Sequence, residues 1–98
     1  MAKMDRDEIL YEAEACISHD RAAIHGNAED SFQTVAEGWN WWLSNRQLPE
    51  DPLSPEDVAM MLALFKIARI SGNPNHEDSY VDAIGYLALC GEISIKDQ

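Results

Sequence analysis

Ser54-Pro55-Glu56-Asp57-Val58-Ala59-Met60-Met61-Leu62-Ala63-Leu64-Phe65-Lys66-Ile67-Ala68-Arg69-Ile70-Ser71, followed by Gly72-Asn73-Pro74-Asn75, decides the fold of this chain. Ser54 is placed to cap a helix, Pro55 suits its first position, and two acids sit at the positive end of its dipole. From Val58 to Ile70 the segment is apolar nearly all round, so the helix must be covered on two sides. It is either central in a bundle or shared with a second subunit. Gly72 is a natural C-cap, and the turn that follows predicts an antiparallel hairpin with a last helix running from about His76 to Cys90 and stopping at Gly91.

Working outward, Pro49, Pro52 and Pro55 mark the preceding connection. Before it, Phe32, Val35, Ala36, Trp39, Trp42 and Leu43 recur at helical spacing, in a helix starting near Asp30 or Ser31. Trp41 falls on the opposite face, where a partner subunit or ligand would cover it, or where it folds over the adjacent loop. Asp5 with Glu8 reads as a helix start, and Ile9, Ala13, Cys16 and Ile17 give that helix an apolar side. It ends near Ser18 or Asp20, and residues 21–29 read as a structured loop. The expectation is an all-α fold, a compact bundle of about four helices in one domain, residues 1–98. Its core spans about 5–91, with a polar tail at 92–98.

The chain has 98 residues, 46% of them hydrophobic, and a formal net charge of −11. A domain of this size buries only about 60–65% of its unfolded surface, so completion by homo-oligomerisation, as a dimer or larger, is expected. No run reaches the roughly 18–20 apolar residues of a membrane span, and Met1-Ala2-Lys3-Met4-Asp5 has no signal-peptide character. A soluble protein of the cytoplasm is the expectation. The acidic balance argues against direct nucleic-acid binding, which needs clustered cations. It leaves room for a metal-bridged nucleotide or a basic protein partner, with solubility alone the default reading. Cys16 and Cys90 lie in apolar contexts and read as buried free thiols. His19, His25 and His76 lack zinc-ligand spacing.

The polar candidates gather at the hairpin. Lys66 and Arg69 precede the turn, and Asp78, Asp82 and Gly85-Tyr86 follow it. Arg69 would face Asp78, and Lys66 would face Asp82. The four charges are either a salt-bridge ladder that fixes the register or a ligand site. In the second reading Lys66 and Arg69 take phosphate oxygens while Asp78 and Asp82 hold Mg²⁺, which needs only one or two carboxylates beside the phosphates. Ala59 and Ala63 below Lys66, and Gly85 beyond Asp82, suggest room or close approach there. Glu12, Glu14, Asp20, Arg21, Asp57 and Tyr86 are further candidates for the same site.

The run Ile9-Leu10-Tyr11-Glu12-Ala13, Asp20-Arg21 with Gly26, and Phe32, Ala36 and Trp39 resembles a family of short phage and prophage proteins. Asp57-Val58-Ala59-Met60-Met61, Lys66-Ile67-Ala68-Arg69-Ile70, Asp78, Asp82 and Gly85-Tyr86 resemble it more closely. The likeness covers about Ile9 to Cys90 and implies the cytoplasm of a bacterial host. His25 departs from the Tyr usual before that loop glycine. More distantly the chain is similar to nucleotide-modification-associated domains and to MazG-like all-α nucleoside triphosphate pyrophosphatases. That likeness implies an oligomeric, Mg²⁺-dependent nucleotide site. Their Glu-x-x-Glu and Glu-x-x-Asp signature is missing here, which weakens catalysis more than binding. The leading expectation is therefore a phage-type protein binding a nucleotide or related phosphate ligand, with Mg²⁺-dependent hydrolysis as its extension. The alternative is a non-enzymatic inhibitor of host defence that binds a basic host protein or sequesters a signalling nucleotide.

Overall fold

The computed structural model describes residues 4–20 and 27–96. These residues form α1 (Arg6–Ala15), α2 (Ala28–Asn45), α3 (Pro55–Gly72) and α4 (Glu77–Lys96), with a π-helical turn over Cys16–Asp20. The all-α expectation holds, and no strand occurs among the described residues. No described helix is long and apolar enough to cross a membrane. Arg21, His25 and Gly26 lie outside the described residues, as does most of the first loop.

α1, α2 and α3 begin where side-chain oxygens satisfy free N–H groups. Asp5 accepts from the Glu8 amide at 2.9 Å, and Asn27 accepts from the Asp30 amide at 3.2 Å. The Asn27 cap moves the start of α2 a turn ahead of the expected Asp30 or Ser31. At α3 the Ser54 hydroxyl accepts from the Asp57 amide while the Asp57 carboxylate accepts from the Ser54 amide, a reciprocal capping box. Between α3 and α4, Tyr80 Oη donates to the Pro74 carbonyl at 2.9 Å and His76 Nδ1 lies 2.7 Å from Ser79 Oγ, so the turn is held by the helix it starts.

The core is a seam of small residues. Ala59 and Ala63 of α3 and Ser79, Ala83 and Cys90 of α4 are buried, Ala63 and Ser79 fully. Such residues let two helix backbones approach closely. Ala59 and Ala63 thus pack the hairpin and leave no space beneath Lys66, contrary to the expectation. α2 covers another side of α3: Val35 is buried, and Trp39 Nε1 donates to the Met61 carbonyl at 2.7 Å. Phe32, expected in the α2 stripe, remains exposed. α3 is accordingly the central helix.

Two boundaries differ from expectation. Gly72 is the last residue of α3, and Asn73 is the cap, its N–H donating to the Arg69 carbonyl. α4 does not stop at Gly91 but runs through it to Lys96, so the expected tail at 92–96 is helical. A glycine in a helix costs about 1 kcal/mol relative to Ala, too little to end a helix whose next turn half-buries Ile93 and Ser94. Cys16, expected to be buried, is exposed.

Candidate functional site

Two polar centres emerge, one at each end of α3. At its N-terminus Asp57 is buried, and every bond it accepts comes from a residue that α2 or the following loop positions. Trp42 Nε1 donates to Oδ1 at 3.0 Å, and Arg46 Nη1 donates to Oδ2 at 2.5 Å. The Ser54 amide and hydroxyl complete the set at 2.9 and 3.0 Å. Arg46 Nη2 also donates to the Pro49 and Asp51 carbonyls, tying the proline-rich loop to the cluster. Burial alone would raise the Asp57 pKa. The Ser54 amide, the Trp42 and Ser54 side chains and the Arg46 charge outweigh it and hold the carboxyl below its ordinary value.

Asp57 was a candidate for an extra ligand carboxylate. The structure commits it to capping α3 and to neutralising Arg46. Arg46 itself carried no sequence signal. It stands 11 residues before its partner, across a loop whose path no periodicity specifies. A cleft of about 570 Å³ opens beside this cluster, walled by Trp42, Leu48, Met60, Leu87 and Cys90. The Cys90 thiol points at the Glu56 carbonyl, 3.4 Å away.

The second centre is the hairpin. Lys66 Nζ lies 3.0 Å from Asp82 Oδ2, so the sequence-predicted pair does form across α3 and α4. Lys66 is 16% exposed and Asp82 45% exposed at the side chain. Half-exposed Asp82 keeps the pair near the surface-bridge range of about 0–1 kcal/mol, and the geometry suits both a register ladder and a ligand site. Arg69 stacks on the Phe65 ring with its guanidinium carbon 4.4 Å from the centroid, and Lys66 Nζ is 5.6 Å from the same ring. Phe65 therefore aligns two cations on one stretch of α3. Asp78 is exposed in the first turn of α4.

Beside Asp82 is an open depression of about 470 Å³, bordered by Val81, Gly85, Tyr86, Leu89 and Glu92. A Cβ built on Gly85 would meet nothing within 4 Å. None of the described helices makes the close approach expected there, and the space stays open. Of the remaining candidates, Glu12 and Glu14 are exposed on α1, and Tyr86 is half-buried at the depression. Asp20 belongs to the π-helical turn, and Arg21 is outside the described residues. Trp41 is 59% exposed, as its position opposite the stripe predicts. Among the described residues no three His, Cys, Asp or Glu side chains cluster as a metal site.

Comparison with known proteins places this geometry in a family. The chain is 33% identical over 89 residues to the Gene 55 protein of Mycobacterium phage L5, covering 91% of this chain and 54% of that protein. It is 34% identical over 80 residues to the Gene 55 protein of Mycobacterium phage D29, covering 82% of this chain and 49% of the relative. The chain thus spans about half the length of the curated relatives it matches. No solved structure matches it. The phage character read from the sequence is in keeping with these relatives. A family model, the domain of unknown function DUF6378, matches residues 8–94, from the start of α1 to the last turns of α4, and the chain belongs to that family.

Proposed function

We propose that the α3–α4 hairpin binds a phosphate-bearing ligand, a nucleotide in the first instance, in the cytoplasm of a bacterial host. The observation that carries this reading is the Lys66–Asp82 pair at 3.0 Å, partly exposed and bordered by the open depression at Gly85. Lys66 and Arg69 are the phosphate contacts: a point charge and a planar fork, both aligned on Phe65. Asp82, with Asp78 a turn before it, supplies the carboxylate side. One or two carboxylates suit Mg²⁺ only when phosphate oxygens complete its shell, so the cation would enter with the nucleotide. When bound it would neutralise phosphate charge. Asp82 would exchange Lys66 for the metal, and Lys66 would turn to the phosphate. Mg²⁺-dependent hydrolysis of that nucleotide is the turnover to assay.

The test is thermal unfolding with a panel of nucleotides, cyclic dinucleotides included, with and without Mg²⁺. A ligand at 100 times its dissociation constant stabilises by about 2.7 kcal/mol, a shift of several degrees for a domain of this size. Lys66→Ala is expected to abolish that shift while leaving the helical content unchanged, because α3 and α4 stay packed through their buried small residues. Silence across the whole panel would sink the reading.

A second reading follows from the surface. Asp5, Asp7, Glu8, Glu12 and Glu14 are all exposed on or before α1, and the net charge is −11. This face suits a basic host protein, as an inhibitor of host defence would need, with exposed Trp41 as an anchor. Its mark is a host complex that dissociates steeply as salt rises, without any nucleotide-dependent thermal shift. A nucleotide shift confined to a cyclic dinucleotide, without turnover, would instead mark sequestration of a signal.

A further inference from the structure

The outer face of α4 carries an apolar seam that the chain does not cover. Val81, Ile84, Ala88 and Ile95 follow one another at spacings of three, four and seven residues, a heptad rhythm with Gly91 at the intervening position. Val81, Ile84 and Ile95 are 62%, 68% and 70% exposed, while the opposite face, through Ser79, Ala83 and Cys90, is buried against the rest of the chain. None of the described helices covers this seam.

Two further observations point to the occupant. Gly85 and Gly91 each cost about 1 kcal/mol in a helix interior, yet a Cβ at either would touch nothing within 4 Å. The chain's own packing does not require them, so the close approach they permit comes from outside. Second, α4 opens with Glu77 and Asp78 and closes with Lys96, so two antiparallel copies set opposite charges and opposite dipole ends against each other.

We infer that two copies of this chain pair antiparallel through α4 as an isologous dimer, and that the pairing completes the hairpin site. Full overlap of the two helices brings Gly85 against the partner's Ala88, the narrowest part of the seam. Val81 and Ala88 belong both to the seam and to the depression beside Asp82. A partner helix along them roofs the open side of that depression and shields the Lys66–Asp82 pair from water. The second half of this inference rests on the ligand reading proposed above; the first half does not.

Sedimentation velocity of the purified chain at micromolar concentration tests the pairing. The expected result is a dimer that Ile84→Glu converts to a monomer with unchanged helical content, since Ile84 makes no buried contact in the chain. Leu53→Glu, at another exposed apolar residue in the loop before α3, is the control and should stay dimeric. A monomeric wild type, or an Ile84→Glu variant that remains dimeric, overturns the pairing. The same two variants then enter the nucleotide panel. Loss of the thermal shift in Ile84→Glu alone, with Lys66 intact, supports completion of the site by the partner. A monomeric Ile84→Glu that keeps the full shift overturns that half. If wild type is dimeric and no nucleotide shifts it, the ligand reading fails while the interface stands.

Discussion

Asp57→Ala is expected to lower the unfolding free energy by about 3–5 kcal/mol, the cost of stranding one member of a buried ion pair. A domain of this size is stable by only about 5–15 kcal/mol, so the variant should be partly unfolded at moderate temperature. The loss has several sources that converge on one carboxylate: the α3 cap, the Trp42 indole, and the Arg46 guanidinium that also ties down the Pro49–Asp51 loop. Urea titration measures it. A double variant, Arg46→Met with Asp57→Leu, strands no charge and should recover part of the loss. If the single variant loses less than the double, the pair is not the source.

The same residue sets an acid limb. Its native pKa is held below that of the unfolded chain, so Asp57 stabilises the fold above the ordinary aspartate value of about 3.9 and that contribution disappears as pH falls through the lowered native value. The stability gap between wild type and Asp57→Ala is therefore widest near neutrality and narrows on acidification. A gap that widened as pH fell would contradict the assignment.

Ala63→Leu should be the next most damaging change, costing about 1–3 kcal/mol by overpacking. Ala63 is fully buried in the α3–α4 seam, and the small buried residues of that seam offer no volume to yield. The added side chain must push the helices apart. The Lys66–Asp82 pair spans those same helices one turn further along, so separation should also weaken ligand binding. The paired measurement is urea stability together with the nucleotide thermal shift. Ala63→Ser, which adds little volume, should leave both near wild type.

Local patterns carried most of the fold. Ser54-Pro55-Glu56-Asp57 announces α3 because the cap, the fixed proline dihedral and the acids each act within one turn. The α2 stripe survives for the same reason, with Val35, Trp39 and Trp42 facing α3. Helix ends were less legible. Asn27 caps α2 a turn early, and α4 runs through Gly91 because the half-burial of Ile93 and Ser94 outweighs one unfavourable residue. Half-burial of that kind depends on distant segments, and no window of sequence contains it.

The candidate site divides in the same way. The spacing of Lys66 and Asp82 about the Gly72–Asn75 turn suffices to predict that they meet, because a tight hairpin fixes register over its first turns. The Arg46–Asp57 pair was invisible, since a loop with three prolines lies between its members and its course is set by what it packs against. The small residues Ala59, Ala63 and Gly85 looked alike in sequence. Packing separates them: the alanines are consumed by the α3–α4 seam, while Gly85 faces open space. By itself the sequence determined four helices, the hairpin and its cross-hairpin ion pair, all consequences of contacts a few residues to one turn long. Only the tertiary structure decided which apolar faces are spent inside the chain and which, on α4, are left bare, because burial depends on the simultaneous placement of segments that local periodicity cannot relate.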